Sequence, residues 1–381
     1  MKLIYLSNYN IPTQNALGIQ ITQMCVAFTK EKIDVELIVP KQKNKNKNLF
    51  EYYGIEKSFK VKEIYRPDLL KFGKFGFLIQ TIFFLLRVKI YLYSQKYDYL
   101  YTREQLTGLF FKDFIYEVHN LSDKITFFHK ALFKKAFKVI AITNFIKKDL
   151  IEKGGISIEK IVVSPDAVDL NKFNLNIAQD QARNKLELPK NKTIIGYIGK
   201  YVTFGKGNKG VDDLVKVFPE ILKSNPQVFL LIVGVGEKNI IKVEKLFKNS
   251  GINNRNYKII AYLPYGDVIY SLRASDILIM NYSRFQYHTY YTSPMKMFEY
   301  MASGRPIIAS DLPSVREILD ENNCLFIKPD NIKSLEDCIK KLLQDKDFSD
   351  KISKQAYKDV QNYTWDKRVR QILIFLKKYE K

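Results

Sequence analysis

The chain is poor in cysteine, histidine and acidic residues. Its 381 residues include only three cysteines, Cys25, Cys324 and Cys338, which are odd in number, widely separated and without the spacing of metal ligands. These features exclude a disulfide framework and indicate a reducing compartment. Forty acidic residues stand against 62 lysines and arginines, so the formal net charge is +22.

The positive charge favours an anionic partner, such as nucleic acid, acidic lipid or a phosphorylated substrate. Residues 1–188 hold 30 basic and 19 acidic residues and the remainder hold 32 and 21, so each half carries +11. This even spread argues against one dedicated basic face, and a coding bias towards Lys, Asn and Ile explains the charge equally well. Because no nucleic-acid recognition motif is present, we expect no nucleic-acid partner.

The chain shows no targeting signal at its start and no convincing membrane span. Lys2 precedes only the short apolar run Leu3–Leu6, which is typical of a first β-strand. The most apolar stretch, Phe75–Tyr93, is interrupted by Gln80 and two basic residues. A spanning helix needs about 20 nearly uncharged apolar residues. We therefore expect a cytoplasmic protein.

Short apolar segments predict two series of strands that alternate with helices. The first helix is expected from about Ile19 to Lys30, and the basic tract 41–48 is expected to be a loop. This alternation predicts an α/β fold with two Rossmann-like, doubly wound parallel-sheet domains and a ligand cleft between them. The predicted strands are Lys2–Leu6, Val35–Val39, Tyr97–Tyr101, Phe114–Val118, Val139–Ile142 and Lys160–Val163, then Thr193–Gly199, Val228–Val233, Tyr257–Ile260, Asp276–Met280 and Pro306–Ala309.

A Pro-containing polar stretch, Glu187–Lys192, precedes the second series and predicts a domain boundary there. The expected domains are residues 1–188 and 189–355. Residues 356–381 follow as a separate C-terminal segment.

The start of a helix near Ser293 predicts an anion site. Ser293 is a good N-cap and Pro294 is tolerated in a first turn, so a helix is expected to run from here through Met301. The amides and dipole at its start, around Met295 and Lys296, suit a diphosphate.

Further along this helix, Glu299 lies among mostly apolar residues. A carboxylate in such a position needs a partner, and the vicinal hydroxyls of a ribose would serve. The alternative is an ordinary amphipathic helix with an exposed glutamate.

The segment from Tyr291 to Asp311, with its continuation to Leu319, resembles the donor-binding segment of family 4 glycosyltransferases of the GT-B fold. That family carries Glu-x7-Glu, a helix, an AxGxPVIAS turn and a D-x-P-x-x-x-E run. The resemblance implies that Glu299, on the second glutamate, holds the ribose. Tyr291 replaces the first glutamate, which contacts the transferred sugar in the family. The other matching residues are Ala302, Gly304, Pro306, Asp311, Pro313 and Glu317.

Two further elements are similar to the phosphate-binding parts of that family. Gly199 and Lys200 resemble its strand-Gly-Arg turn, and Lys209 resembles the lysine of its Lys-Gly element. The resemblance implies that Lys200 and Lys209 neutralise the donor diphosphate. Lys206 competes with Lys209 for this role, and ordinary surface lysines are the alternative.

The first half carries two more resemblances. The loop Asn15–Ile19 is similar to the glycine-containing loop after the first strand, where Gly18 would let backbone amides approach the donor phosphate or the acceptor. Glu117–Asn120 resembles an E-V-H element, which implies that His119 points towards the sugar; a structural histidine is the alternative.

Two elements near the domain ends are interpreted as structural. Val163–Phe173 resembles a V-x-P-N-G-V-D-x-x-x-F signature in which Asp166 and Ala167 replace Asn-Gly. Trp365 and the amphipathic helix after it resemble the family's C-terminal helix, which crosses back to the first domain.

The resemblance implies a retaining, metal-independent glycosyltransferase without a cofactor. The donor would be a UDP- or GDP-linked sugar bound by residues 189–355. The acceptor, bound by residues 1–188, would be a glycan or a lipid-linked acceptor, as in bacterial surface-polysaccharide assembly. The basic, apolar segment Leu69–Tyr93 could lie on the anionic inner face of the plasma membrane, or be a buried helix of the first sheet. A nucleotide-sugar epimerase of GT-B fold and a non-catalytic nucleotide-sugar-binding partner remain alternative functions.

Overall fold

The computed structural model describes residues 1–42, 48–122, 124–173, 176–203, 207–208 and 210–378. The chain forms two compact units. The first comprises Met1–Asp166 and Trp365–Lys381, and the second comprises Ala167–Thr364. Most of the basic tract 41–48, and both Lys206 and Lys209, lie outside the described residues.

The first unit is built on a seven-stranded parallel sheet in the order β3-β2-β1-β4-β5-β6-β7. Its strands are β1 (Lys2–Leu6), β2 (Asp34–Pro40), β3 (Lys60–Ile64), β4 (Tyr99–Thr102), β5 (Phe114–Val118), β6 (Ala136–Ala141) and β7 (Ile161–Val163). Its helices up to the end of the sheet are α1 (Ala16–Lys30), α2 (Leu49–Tyr53), α3 (Gly73–Leu92), α4 (Phe127–Lys134) and α5 (Asn144–Glu152).

The second unit is built on a six-stranded parallel sheet in the order β12-β11-β8-β13-β14-β15 and a short antiparallel pair, β9 and β10. Its strands are β8 (Thr193–Ile198), β9 (Val202–Thr203), β10 (Gly207–Asn208), β11 (Val228–Val233), β12 (Tyr257–Ile260), β13 (Ile277–Met280), β14 (Ile307–Ser310) and β15 (Leu325–Ile327). Its helices are α6 (Leu170–Phe173), α7 (Gln179–Lys185), α8 (Val211–Ser224), α9 (Glu237–Asn249), α10 (Val268–Ala274), α11 (Gln286–Tyr290), α12 (Met295–Ala302), α13 (Pro313–Arg316), α14 (Ile332–Gln344) and α15 (Lys346–Asp359).

Both sheets reverse their strand order once. The reversal lies between β1 and β4 in the first sheet and between β8 and β13 in the second. Central strands such as β11 and β13 are apolar and buried along their whole length, because helices cover both faces of such a sheet. Ligands of open α/β sheets bind beyond the carboxyl ends of the strands at this reversal. We therefore expect ligands to bind near the carboxyl ends of β1, β4, β8 and β13.

The first boundary between the units differs from the predicted one at residues 188 and 189. Val168, Phe173 and Ala182 are buried in the core of the second unit. Arg183 on α7 donates to a carboxylate oxygen of Asp276 at 2.6 Å and to the carbonyl oxygen of Ala274 at 3.1 Å. These contacts anchor the segment before Pro189 to the second sheet, so the proline-containing turn lies inside a unit.

The second boundary also differs from the predicted one at residues 355 and 356. Helix α15 packs against α12 in the second unit, and the chain returns to the first unit with α16 (Trp365–Lys377). There Asp366 accepts from Lys30 at 3.1 Å and Arg370 donates to Glu31 at 2.6 Å. The last helix is therefore joined to the first one, α1.

Candidate functional site

The turn after β8 lies against the side chain of Lys296. Gly199 has a φ of 150°, and a Cβ placed on it would lie 3.2 Å from Cδ of Lys296. Lys200 follows directly and is half-buried, and this burial lowers the pKa of its ammonium group. The predicted phosphate-binding residue Lys200 and the predicted helix residue Lys296 therefore flank one turn.

Lys296 is held by aromatic rings. Its buried Nζ lies 4.4 Å from the ring centroid of Tyr197, 4.7 Å from that of Tyr282 and 6.0 Å from that of Tyr300. The faces of aromatic rings attract a cation by their quadrupole. The hydroxyl of Tyr300 also donates to the carbonyl oxygen of Ile198 at 2.9 Å, which fastens α12 to the end of β8.

Glu299 is buried on α12, with 8% of its surface exposed. Burial raises the pKa of its carboxyl to about 7, although Lys296 and Tyr265 oppose the rise. The carboxyl therefore keeps its proton to a higher pH than an ordinary glutamate does. A ribose hydroxyl that donates to it would stabilise the ionised form. The alternative of an exposed surface glutamate is wrong.

The start of α12 differs in detail from the prediction. The helix begins at Met295 and its N-cap is Pro294, at φ −77° and ψ 125°, so the assignment of Ser293 as the N-cap is wrong by one residue. Proline supplies the extended backbone that an N-cap requires, and no side-chain cap hydrogen bond forms there. Met295 and Lys296 thus form the first turn, at the positive end of the helix dipole.

Tyr291 lies just before this helix, at the C-cap of α11. It is 6% exposed, and its N–H donates to the carbonyl oxygen of Tyr287 at 3.0 Å. His288, earlier on α11, is buried with its ring stacked on Tyr282 at 4.6 Å between centroids. The residue in place of the family's first glutamate is therefore a buried aromatic in an aromatic neighbourhood.

Gly210, the residue after Lys209, packs against Asn281, which directly follows β13. It has a φ of 85°, and a Cβ on it would lie 1.8 Å from the carbonyl oxygen of Asn281. Only glycine permits this approach. Lys209 itself lies outside the described residues, so its role stays a prediction.

In the first unit, His119 follows β5 and its Nε2 hydrogen-bonds to Glu117. Glu117 is fully buried and accepts a second hydrogen bond from Gln20 at 2.6 Å and a third from Arg368 of α16 at 3.1 Å. The hydroxyl of Tyr101 donates to the same carboxylate. This carboxylate is thus surrounded by donors from four separate elements.

The electrostatics of this cluster define a neutral histidine beside an ionised carboxylate. Burial would raise the pKa of Glu117, but Arg368 and then His119 hold it well below its usual range. Burial and the charge of Arg103 lower the pKa of His119. The imidazole therefore donates Nε2–H to Glu117 and keeps a lone pair on Nδ1, which can accept from a hydroxyl.

Asp166 joins this cluster, although the sequence indicated only a structural turn for it. Glu117, His119 and Asp166 offer potential metal-ligand atoms within 4.8 Å of one another. Burial raises the pKa of Asp166, while His119 and Arg368 oppose the rise. The guanidinium groups of Arg368 and Arg103 repel a divalent cation here, so the residues present fit a metal ion poorly.

Gly18 has a packing role in the first turn of α1, which begins at Ala16 rather than at the predicted Ile19. A Cβ on Gly18 would lie 2.2 Å from the hydroxyl oxygen of Tyr53 and 2.7 Å from Cγ2 of Thr13. The Tyr53 hydroxyl accepts from the Thr13 amide at 2.9 Å and donates to the Thr13 carbonyl at 2.8 Å. The predicted contact of Gly18 with a ligand stays a prediction.

Sequence reasoning missed Glu117, Asp166 and Arg368 as members of the first-unit cluster. Glu117 could have been found, because residues two apart on a strand share a face and His119 was already a candidate. Nothing in the sequence around Arg368 indicates its contact with Glu117, because the two residues lie 251 positions apart in the chain.

Comparison with known proteins gives the site a family context. Residues 178–359 match the family model described as "Glycosyl transferases group 1". A GDP-mannose-dependent monoacylated alpha-(1-6)-phosphatidylinositol monomannoside mannosyltransferase of Corynebacterium glutamicum is 26% identical over 186 residues, 48% of this chain and 46% of that protein. The putative teichuronic acid biosynthesis glycosyltransferase TuaC of Bacillus subtilis is 22% identical over 237 residues, 60% of this chain and 54% of that protein. The chain thus spans about half the length of these relatives.

Solved structures match nearly the whole chain. A glycosyltransferase from Rickettsia africae has a TM-score of 0.76 at 18% identity and covers 99% of this chain and 98% of its own. Sucrose-phosphate synthase from Thermosynechococcus elongatus has a TM-score of 0.80 at 17% identity with the same coverage. Anabaena Alr3699/HepE, in complex with UDP and glucose, has a TM-score of 0.75 at 16% identity and covers 99% of both chains. With the two parallel sheets, these likenesses confirm the predicted α/β fold of the GT-B type.

Proposed function

We propose that the protein transfers a sugar from a nucleoside-diphosphate donor to an acceptor hydroxyl, on the premise that residues 178–359 match the family model of glycosyl transferases group 1. One observation carries the proposal: Lys296 lies against the Gly199 turn beyond the end of β8, where its sheet reverses, and Glu299 lies one turn further along the same helix. This is the position at which such a sheet binds a nucleotide.

The donor lies on the second unit in this proposal. Its diphosphate is held by the first turn of α12 together with Lys200 and Lys209, and its ribose by Glu299. The complex of Anabaena Alr3699/HepE with UDP supports a nucleoside diphosphate, and the Corynebacterium relative is named for GDP-mannose. The donor is accordingly a UDP- or GDP-linked sugar.

We propose a retaining reaction that needs no metal. The departing nucleoside diphosphate gains negative charge, and fixed donors that stabilise such charge contribute about 3–4 kcal/mol each in other enzymes. The acceptor hydroxyl attacks the anomeric carbon on the face from which the diphosphate departs. Its oxygen bonds to that carbon as the carbon–oxygen bond to the phosphate breaks, and the released phosphate oxygen takes the hydroxyl proton. His119, neutral and oriented by Glu117, accepts a hydrogen bond from the sugar at Nδ1.

The acceptor is proposed to be a glycan or lipid-linked glycan of bacterial surface-polysaccharide assembly. Support comes from the names of the two relatives, which concern a phosphatidylinositol mannoside and teichuronic acid. The protein would then work in the cytoplasm, peripherally at the inner face of the plasma membrane.

A thermal-shift panel of UDP, GDP, ADP and CMP tests the donor. A ligand at 100 times its Kd stabilises the folded state by about 2.7 kcal/mol, so one diphosphate should raise Tm by several degrees. Glu299→Ala should abolish this rise. If none of the four nucleotides shifts Tm in the wild type, the proposed donor site is wrong.

Turnover with the matching nucleotide sugar separates this proposal from its alternatives. Transfer should depend on an added acceptor and survive EDTA. Inversion at C2 of the sugar without an acceptor would indicate an epimerase, and tight binding without turnover would indicate a non-catalytic partner. Loss of transfer in EDTA that added Mg²⁺ restores would contradict the metal-free reaction.

A further inference from the structure

Helix α3 in the first unit is apolar on both of its faces. The face towards the sheet is buried and includes Phe84, Leu85 and Val88. Thr81, on the same face, accepts from the Asn8 side chain at 2.7 Å, and Gln80 accepts from the Leu69 amide at 3.0 Å. These contacts attach one side of α3 to the folded unit.

The opposite face carries large apolar side chains into solvent. On α3 and the turn before it, from Leu70 to Tyr93, eleven large apolar side chains are 37% to 93% exposed. At about 200 Å² for each fully exposed side chain, they present roughly 1,000 Å², more than the few hundred Å² usual for a soluble monomer. Residues at helical spacing along this face, which we call the α3 outer face, are Phe75, Leu78, Ile82, Leu86, Ile90 and Tyr93.

The charged residues within this segment of the sequence are all positive. The segment from Leu69 to Tyr97 contains no aspartate or glutamate, whereas Lys71, Lys74, Arg87 and Lys89 lie on or next to α3. The Arg87 guanidinium lies 5.8 Å from the ring centroid of Tyr65 and 5.9 Å from that of Phe83. Apolar surface rimmed by cations suits the boundary between acyl chains and anionic headgroups.

From this arrangement we propose that the α3 outer face docks on the surface of an anionic lipid bilayer, with the helix in the plane of the membrane. By length and composition Leu70–Leu92 is also long and apolar enough to cross a membrane. Its attached inner face opposes spanning, because a spanning helix would have to leave the sheet. A two-fold dimer through this face would bring the same lysines and arginines of both copies together, which disfavours a second copy as the occupant.

This inference rests on the peripheral membrane location in the proposed function and names the surface responsible. Vesicle co-sedimentation tests it without any sugar transfer, so its failure is distinguishable from a failure of the transferase assay. The wild type should sediment with vesicles of phosphatidylglycerol and phosphatidylcholine in equal parts and stay in solution with phosphatidylcholine alone. Phe75→Ser/Ile90→Ser should lower binding to the anionic vesicles at least tenfold, since both side chains are about 70% exposed and lose apolar area at the membrane. Ile241→Ser on α9, which changes an isoleucine that is 78% exposed, is the matched control and should bind as the wild type does.

Four results would overturn the inference. The wild type could fail to sediment with anionic vesicles, or the double variant could bind as well as the Ile241→Ser control. A wild type that is dimeric by light scattering, with a monomeric double variant, would assign the face to a second copy of the chain. Release of the bound protein by alkaline carbonate supports docking at the surface, whereas resistance to it would indicate a spanning helix.

Discussion

Nη1 of Arg368 lies 3.1 Å from Oε2 of Glu117, and the two side chains are 2% and 0% exposed. The same guanidinium donates to the carbonyl oxygens of Pro165 at 2.7 Å and Ser164 at 3.1 Å. The last helix of the chain therefore neutralises the carboxylate that orients His119. Removing one partner of a buried ion pair leaves an uncompensated charge in the protein interior.

Arg368→Ala should lower the free energy of unfolding by about 3–5 kcal/mol, because Glu117 would lose its buried counter-charge. Urea unfolding measures the loss. Arg370→Ala on the same helix is the matched control, since Arg370 pairs with Glu31 at the surface and its side chain is 61% exposed. It should cost about 1 kcal/mol or less. Equal losses in the two variants would contradict the importance of the buried pair.

Gly18→Ala should destabilise the first unit by about 1–3 kcal/mol, because the added methyl would overlap the Tyr53 hydroxyl. Tyr53→Phe removes the overlapping oxygen, so Gly18→Ala should cost less in the Tyr53→Phe background than in the wild type. Chemical denaturation of the four proteins gives the coupling energy. Strictly additive effects would show that Gly18 does not serve this packing.

Replacement of His119 by Ala should lower kcat by about 10²-fold and leave the Kd of the nucleotide largely unchanged, because His119 acts on the sugar and not on the nucleotide. Steady-state kinetics and calorimetric titration separate the two quantities. His129→Gln serves as the control, since His129 accepts from Thr126 in a helix cap and has no role in the proposed site. An unchanged kcat in His119→Ala would remove it from the catalytic assignment.

Glu299 should make the protein less stable as the pH rises from about 4.5 to 7. In this range the folded protein, with the Glu299 pKa at about 7, keeps a proton that the unfolded chain releases at its usual pKa. The shift in pKa lowers the free energy of unfolding by about 3 kcal/mol above pH 7. Unfolding of Glu299→Gln between pH 5 and 8 should lack this fall, and Glu220→Gln on the surface should follow the wild type. If the stability of Glu299→Gln still falls over this pH range, the loss does not come from the ionisation of Glu299.

Ionisation of Glu299, which destabilises the fold, should strengthen the binding of the nucleotide. Ionised Glu299 accepts from the ribose, so wild-type affinity should rise as the pH increases through 7, whereas Glu299→Gln should bind weakly with little dependence on this ionisation. Calorimetric titration with uridine, or with guanosine if GDP is the donor nucleotide, avoids ionisation of the diphosphate. Identical pH profiles in the two proteins would contradict a ribose contact.

Lys296→Met and Lys209→Ala should each weaken binding of the nucleoside diphosphate about tenfold or more, because the diphosphate loses a charged partner. Binding of the nucleoside should be unchanged when both are measured well above pH 7, where Glu299 is ionised even without Lys296. The methionine keeps most of the volume that Lys296 fills among its tyrosines. Lys216→Met, on the exposed side of α8, should not change either Kd. Equal losses for diphosphate and nucleoside would indicate a folding defect in place of a lost phosphate contact.

The sequence alone predicted most of the strands of both sheets. Four predicted strands have the observed ends: Lys2–Leu6, Phe114–Val118, Val228–Val233 and Tyr257–Ile260. Strands β3 and β15 were missed because they lie at sheet edges, where the strand is only partly buried and the apolar run is short. The pattern around Glu299 likewise predicted the donor helix to within one residue at each end.

Only the tertiary structure decided which side chains meet and in which charge state. The ends of the units depend on packing: Val168 belongs to the core of the second unit although it precedes the proline-containing turn. The pKa of Glu299 follows from its burial, and the neutral state of His119 follows from burial and the charge of Arg103. Glu117 stays ionised because of Arg368, which is distant in sequence. Periodicity and motif spacing report local conformation, whereas desolvation and ion pairing depend on distances that folding alone creates.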